Sequence, residues 1–284
     1  MLAIDDARQM RAAIVVAVVT ALLIFTLPVT AEAKTKRQRC LDGAAKVVGH
    51  RIKDPARYNI VLGTRQGDTF VPTPRRDLYC GFDGNDKVRD RALGKGDIFV
   101  GGRDDDRVRR MTGGRFSSGP GHDVVARLLG GKFIGGWGND RVWVMNGGTF
   151  LGQQKSDRVG KQSGGVFRGG IAQDGVTVLR GGLFVGGAAR NIVDEQTAGE
   201  YRGGPGHDSL GLLRGGLFNG GPGRDSTQSI ESGTFLGGTG DDTAFGQLGG
   251  TYDGGDGTDR VDRYESGTLI SVEVCEPKAG FSCP

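Results

Sequence analysis

A step of seventeen residues from Asp106 meets Asp123, Asp140, Asp157, Asp174, Asn191, Asp208, Asp225, Asp242 and Asp259, so nine of these ten positions are aspartate. The same step from Phe99 meets Phe116, Phe133, Phe150, Phe167, Phe184, Tyr201, Phe218, Phe235, Tyr252 and Leu269, an unbroken column of large apolar side chains. A third column lies two residues after the aspartates and runs from Val108 and Val125 to Val261, and a looser fourth runs from Met111 and Leu128 to Tyr264. With 54 glycines in 284 residues, composition alone is compatible with disorder. A disordered chain has no reason to hold four columns in phase. Each unit is therefore expected to be one turn of a solenoid whose side chains stack on their equivalents above and below.

Within a unit, the apolar residue after the aspartate and the phenylalanine farther on have polar neighbours, the pattern of short strands with one face inward. Glycine pairs lie between these segments, where backbone with positive φ turns the chain at little steric cost. The expected fold is all-β: a parallel β-solenoid (β-roll or β-helix) over residues 59–274, with two short strands per turn, about 4.8 Å between turns, and almost no helix.

The ends read differently. Arg8 and Arg11 precede an apolar run from Ala12 to Val29, and Ala31–Glu32–Ala33 follows it, the pattern of a secretory signal over residues 1–33 cleaved after Ala33. An uncleaved membrane anchor is the rival reading, because the run is long enough to span a bilayer. The expected location is secreted, with no stable membrane insertion after cleavage. Residues 34–58 read as a basic linker and N-terminal cap, and residues 275–284 as a C-terminal cap. The cysteines form two widely separated pairs, and in an oxidising compartment Cys40 with Cys80 and Cys275 with Cys283 is the expected disulfide pairing. The other two pairings stay open at this level. Without a CxxC, and with His50, His122 and His207 away from the cysteines in sequence, zinc is disfavoured.

The corner before the aspartate has the pattern GGxGxD, written four times in succession in the C-terminal half as GGPGHD, GGPGRD, GGTGDD and GGDGTD, ending at Asp208, Asp225, Asp242 and Asp259. Carboxylates about 4.8 Å apart repel by roughly 1 kcal/mol in water and about 3 kcal/mol at an effective dielectric of 20, so the column needs a counter-charge. Calcium suits it, because it accepts six to eight oxygens in irregular geometry, whereas magnesium demands a smaller octahedron. The lack of clustered His or Cys argues against transition metals.

The segments Gly135–Trp143 (GGWGNDRVW) and Gly254–Asp262 (GGDGTDRVD) resemble the RTX, or hemolysin-type, calcium-binding nonapeptide GGxGxDxUx. Asn59, Asp68, Asp77 and Asp86, nine apart, extend the resemblance towards the N-terminus. The resemblance implies a β-roll with calcium between successive loops and the motif aspartate as the side-chain ligand. After Asp106 each nonapeptide alternates with an eight-residue unit lacking the motif, which implies calcium on one side of the solenoid only. The loops ending at Asp157, Asp174 and Asn191 lose the fourth-position glycine, and Lys155 and Arg190 enter them as possible counter-charges. The expected ligands are therefore Asp123 and Asp140 in one cluster and Asp208, Asp225, Asp242 and Asp259 in another, with a metal-poor middle.

Catalysis needs convergent acid, base or nucleophile side chains, and none stands apart from the repeats, so no enzymatic activity is expected. His122 and His207 share one phase before the loop aspartate and read as surface residues. A net charge of +4 does not indicate nucleic-acid binding. The expected role is a secreted, calcium-binding structural or binding module at or beyond the cell surface, with extracellular polysaccharide or the cell surface as partner. Two alternatives are a polysaccharide-active enzyme or its carbohydrate-binding accessory module, and an ice-binding solenoid, for which Thr234, Thr251 and Thr268 begin a threonine rank.

Overall fold

In a computed structural model, residues 34–284 are described; the expected signal segment lies outside them. Its strands pair throughout in parallel, each with the strand one turn away, which makes the chain a parallel β-solenoid. The register repeats the sequence columns: Phe116 faces Phe133, Val108 faces Val125 and Met111 faces Leu128. The first turns are longer, since Tyr58 pairs with Arg76 and Tyr79 with Phe99, steps of 18 and 20 residues. From there the step is seventeen as far as Thr268.

One feature differs from two short strands per turn. Arg107–Pro120, Val124–Trp137, Ser209–Pro222 and Ser226–Thr239 are each a single paired segment of 14 residues. Pairing continues around the second corner, with a register irregularity beside the glycine pair, as between Met111 and Arg115. Gly131 (φ +86°) shows why glycine is required there: an added Cβ would lie on the carbonyl oxygen of Gly113 one turn earlier. The corner is tight because two backbones touch, so glycine density here marks close approach and not looseness.

The core is one layer of side chains enclosed by each turn. Rings from Phe99 to Tyr252 stack with centroids 4.6–5.0 Å apart and planes within 11° of parallel. The valine and methionine–leucine columns fill the remainder, fully buried. Where the fourth column holds glutamine, the side chain satisfies the corner: Nε2 of Gln196 donates to the carbonyls of Gly199 (3.1 Å) and Leu217 (2.9 Å), and Gln162 and Gln247 repeat the arrangement. The column is thus part apolar filler and part backbone cap.

Helix is nearly absent, as the repeats lead one to expect, and the exception lies at the start of the described chain. Lys36–Val48 forms a helix, α1, that buries Cys40, Ala44 and Val47. These positions recur at helical spacing and make one face, which packs with Leu78, Cys80 and Ile98 in a cluster separate from the solenoid core. Leu78 and Cys80 flank the inward Tyr79, so α1 covers the outer flank of the first turns. Both expected disulfides form, Cys40–Cys80 with Cα atoms 5.7 Å apart and Cys275–Cys283 at 6.2 Å. The first fastens α1 to the solenoid and the second closes the chain beyond its final turns.

Replacement of Phe150 by alanine removes a ring stacked on both sides. It is expected to destabilise by about 3–5 kcal/mol in denaturant unfolding, whereas Trp143→Ala on the exposed surface should change stability little.

Candidate functional site

Each aspartate of the long column is buried, and its carboxyl is engaged by backbone. The amide of Asp208 donates to Oδ1 of Asp225, that of Asp225 to Oδ1 of Asp242, and that of Asp242 to Oδ1 of Asp259. The ladder runs unbroken from Asp86 with donor–acceptor distances of 2.6–3.0 Å. Glu273 ends it by accepting from the amide of Asp259. The first glycine of GGxGxD makes room for this inward carboxyl, because a Cβ at Gly203, Gly220 or Gly237 would fall on Oδ2 of Asp208, Asp225 or Asp242.

Oδ2 is left without a partner. In Asp86, Asp106, Asp123, Asp140, Asp157, Asp174, Asp208, Asp225, Asp242 and Asp259 it is buried and accepts no hydrogen bond. Asn191 shows what surrounds it. Its Oδ1 accepts from Asp174 as an aspartate would, while Nδ2 donates to the carbonyls of Ala189 (2.6 Å) and Gly203 (3.5 Å). At Asp208 the corresponding carbonyl, that of Gly220, and Oδ2 crowd the same side of Gly203. The aspartates therefore place an oxygen where the asparagine places an N–H donor, against carbonyl oxygens. A free anion in that setting is costly, and the site calls for a proton or a cation.

The titration of these groups follows. Burial, only partly offset by the ladder hydrogen bond, raises the Asp225 carboxyl from its ordinary value near 3.8 to about 8, Asp157 to about 9, Asp174 and Asp242 to about 7 and Asp208 to about 6. Burial also raises Asp123, Asp140 and Asp259. In the first turns the second oxygen is satisfied: Oδ2 of Asp68 accepts from the amide and hydroxyl of Thr64, and Oδ2 of Asp77 from the amide of Thr73. Along the long column such loop amides are used between turns instead, as when Gly204 donates to Gly220.

The structure thus brings Asp123, Asp140, Asp208, Asp225, Asp242 and Asp259 into one line. It places Asp157 and Asp174 in the same line, and the ladder hydrogen bonds run through them although their loops lack the fourth-position glycine. Neither Lys155 nor Arg190 pairs with a carboxylate; Arg190 instead donates to the Ser209 hydroxyl. The opposite side also differs from a bare one at its start, where Asn59, Asp77 and Asp97 form a short second ladder. The nine-residue spacing of Asn59, Asp68, Asp77 and Asp86 signals two alternating ladders, whereas the 20-residue step to Asp97 hides the continuation. Among the described residues no three carboxylate, imidazole or thiolate groups converge as a ready-made metal centre.

Outside the column lies an exposed ladder of reverse polarity. Asp105 Oδ1 accepts from the amide of His122, His122 Nδ1 from Asn139, and Asn139 Oδ1 from Ser156. His207 Nδ1 accepts from Arg224 in the same way. Both histidines are surface acceptors that satisfy loop amides, the surface position expected for them.

No protein-family model matches the chain, and no curated protein shows significant similarity to it.

Asp225→Asn places a donor where Oδ2 faces carbonyls. In metal-free protein at neutral pH it should stabilise by about 1 kcal/mol, a rise in melting temperature of roughly 2–4 °C; Asn191→Asp should do the reverse. The pH dependence has a definite sign. Folded-state values above 3.8 mean that the native state holds protons the unfolded state releases, so this contribution is full below pH 4 and is lost as pH rises towards about 9. Melting curves in chelator across that window should show falling stability.

Proposed function

We propose that the chain is a calcium-stabilised β-solenoid of the extracytoplasmic space, acting as a rigid structural or binding module without catalytic activity. The observation that carries the reading is the line of buried Oδ2 atoms that face backbone carbonyls and lack a partner. Calcium fits this all-oxygen donor set, whereas magnesium and transition metals fit it poorly. Asp123, Asp140, Asp208, Asp225, Asp242 and Asp259 would hold it through Oδ2, helped by glycine-loop carbonyls, consistent with the resemblance of GGxGxD to RTX repeats. When bound, calcium supplies the positive charge that the column lacks. The two disulfides support an oxidising compartment. The threonine rank of an ice-binding face is short, since Thr234, Thr251 and Thr268 share a row that continues backwards as Leu217 and Glu200.

A second reading keeps the column protonated and metal-free, favoured by the upward shift of its carboxyls. Melting at pH 8 in calcium and in chelator separates the two. Calcium is expected to raise the melting temperature and to cancel the decline with pH, with fewer ions bound, by calorimetry, in Asp225→Ala/Asp242→Ala. Equal melting temperatures in both buffers would leave the protonated ladder as the correct account.

A further inference from the structure

The outward face of the strands that follow the aspartates changes character along the solenoid. In the row one residue after the aspartate, Lys87, Arg107, Arg141 and Arg158 align, interrupted by Val124. Three residues farther on, Arg110, Arg127 and Lys161 align, interrupted by Val144. The interruptions fall in different turns, so every turn from Asp86 to Asp157 presents a cation, all exposed except the half-buried Lys87. Farther along the same rows Glu195 takes the place of a cation; in the last turn cations return as Arg260, paired with Asp262 and Glu276, and Arg263, an isolated exposed one. Among the described residues no carboxylate forms an ion pair with any cation of the first five turns.

Like charges on adjacent strands oppose pairing, by roughly 1 kcal/mol per pair in water. The fold gains nothing visible from this arrangement, and an external polyanion would relieve it. The surface is also shaped. Two hollows of about 300 and 450 Å³ share Arg109, Ala126 and one carboxylate, Asp90; the first also reaches Arg91, Arg110 and Arg127 and the second Lys87, Arg89 and Arg107, so cations outnumber the acid in both. Seventeen residues beyond Ala126 stands the exposed Trp143, with the Arg141 guanidinium 5.1 Å from its ring centre.

We propose that this face binds a linear acidic polysaccharide carrying one carboxylate or sulfate per sugar or per disaccharide, a reading that does not depend on calcium occupancy. Guanidinium forks match carboxylate geometry, and the indole offers a flat surface for the C–H face of a pyranose. Cations recur in every turn of this stretch, in one row or both, with an axial rise of about 4.8 Å per turn that is comparable to one sugar of an extended glycan. Duplex phosphates follow one another at about 3.4 Å per strand, out of step with this ladder, and single-stranded nucleic acid is held by successive aromatic platforms, of which this face has one.

The test is calorimetric titration of the full secreted chain, in calcium buffer, with a galacturonate hexamer, a neutral glucan hexamer and a single-stranded oligonucleotide. The galacturonate should bind with affinity that falls as salt rises, and the glucan should not bind. Arg110→Ser/Arg127→Ser should weaken galacturonate binding by about tenfold or more, and Trp143→Ala should also weaken it, in neither case with a lowered melting temperature. Arg168→Ser, on the other strand segment of the turn, should bind normally. Equal binding of the glucan, full affinity in the double variant, no galacturonate binding, or tighter binding of the oligonucleotide would each overturn the proposal.

Discussion

Each turn accepts, on one oxygen of its aspartate, the amide of the aspartate one turn before, and this bond fixes the rest of the structure. To reach that amide the carboxyl must point inward, which favours a small residue at the first position of the loop: glycine in most turns, where an added Cβ would fall on Oδ2, and Ser118 in the turn of Asp123. The inward carboxyl sets the phase of the following strand, placing the valine column inside and the next residue outside. The phenylalanine column then meets its neighbours ring on ring. A turn with few apolar residues is stable in this setting because each ring is covered on both faces by the turns beside it.

The same bond creates the functional problem of the molecule. One oxygen of each carboxyl is satisfied and the other is stranded among carbonyls, so folding generates a line of sites that require positive charge. In the first turns loop amides resolve this at Asp68 and Asp77, and within the long column Asn191 does so with its own side chain. Elsewhere the requirement is met from outside, by protons at low pH or, on the reading proposed here, by calcium. Secretion and calcium dependence would then be connected, since calcium is abundant beyond the cell and scarce within it.

The columns made the solenoid, its register and its buried side chains legible in the sequence, because stacking forces equivalent residues into equivalent environments. The disulfide pairing followed the same logic of two distant ends. What was hidden lay outside the repeat. Helix α1 is written in the spacing of Cys40, Ala44 and Val47, which a search for strand periodicity passes over. The continuity of the hydrogen-bond ladder through Asp157 and Asp174 was masked by loop sequence, because the ladder depends on the aspartate and a small residue at the first loop position and tolerates change between them. The basic face was legible only once register aligned Arg110 with Arg127 and Arg107 with Arg141 by way of Val124.

The central claim is that burial keeps protons on part of the aspartate column at neutral pH, Asp157 and Asp225 foremost, until a cation replaces them. Infrared difference spectroscopy on protein labelled with carbon-13 at the aspartate carboxyl measures this directly, since protonated and ionised carboxyls absorb apart. The account expects a protonated-acid band in metal-free protein at neutral pH that disappears when calcium is added and is diminished in Asp225→Asn/Asp242→Asn. A fully ionised spectrum in metal-free, folded protein would contradict it.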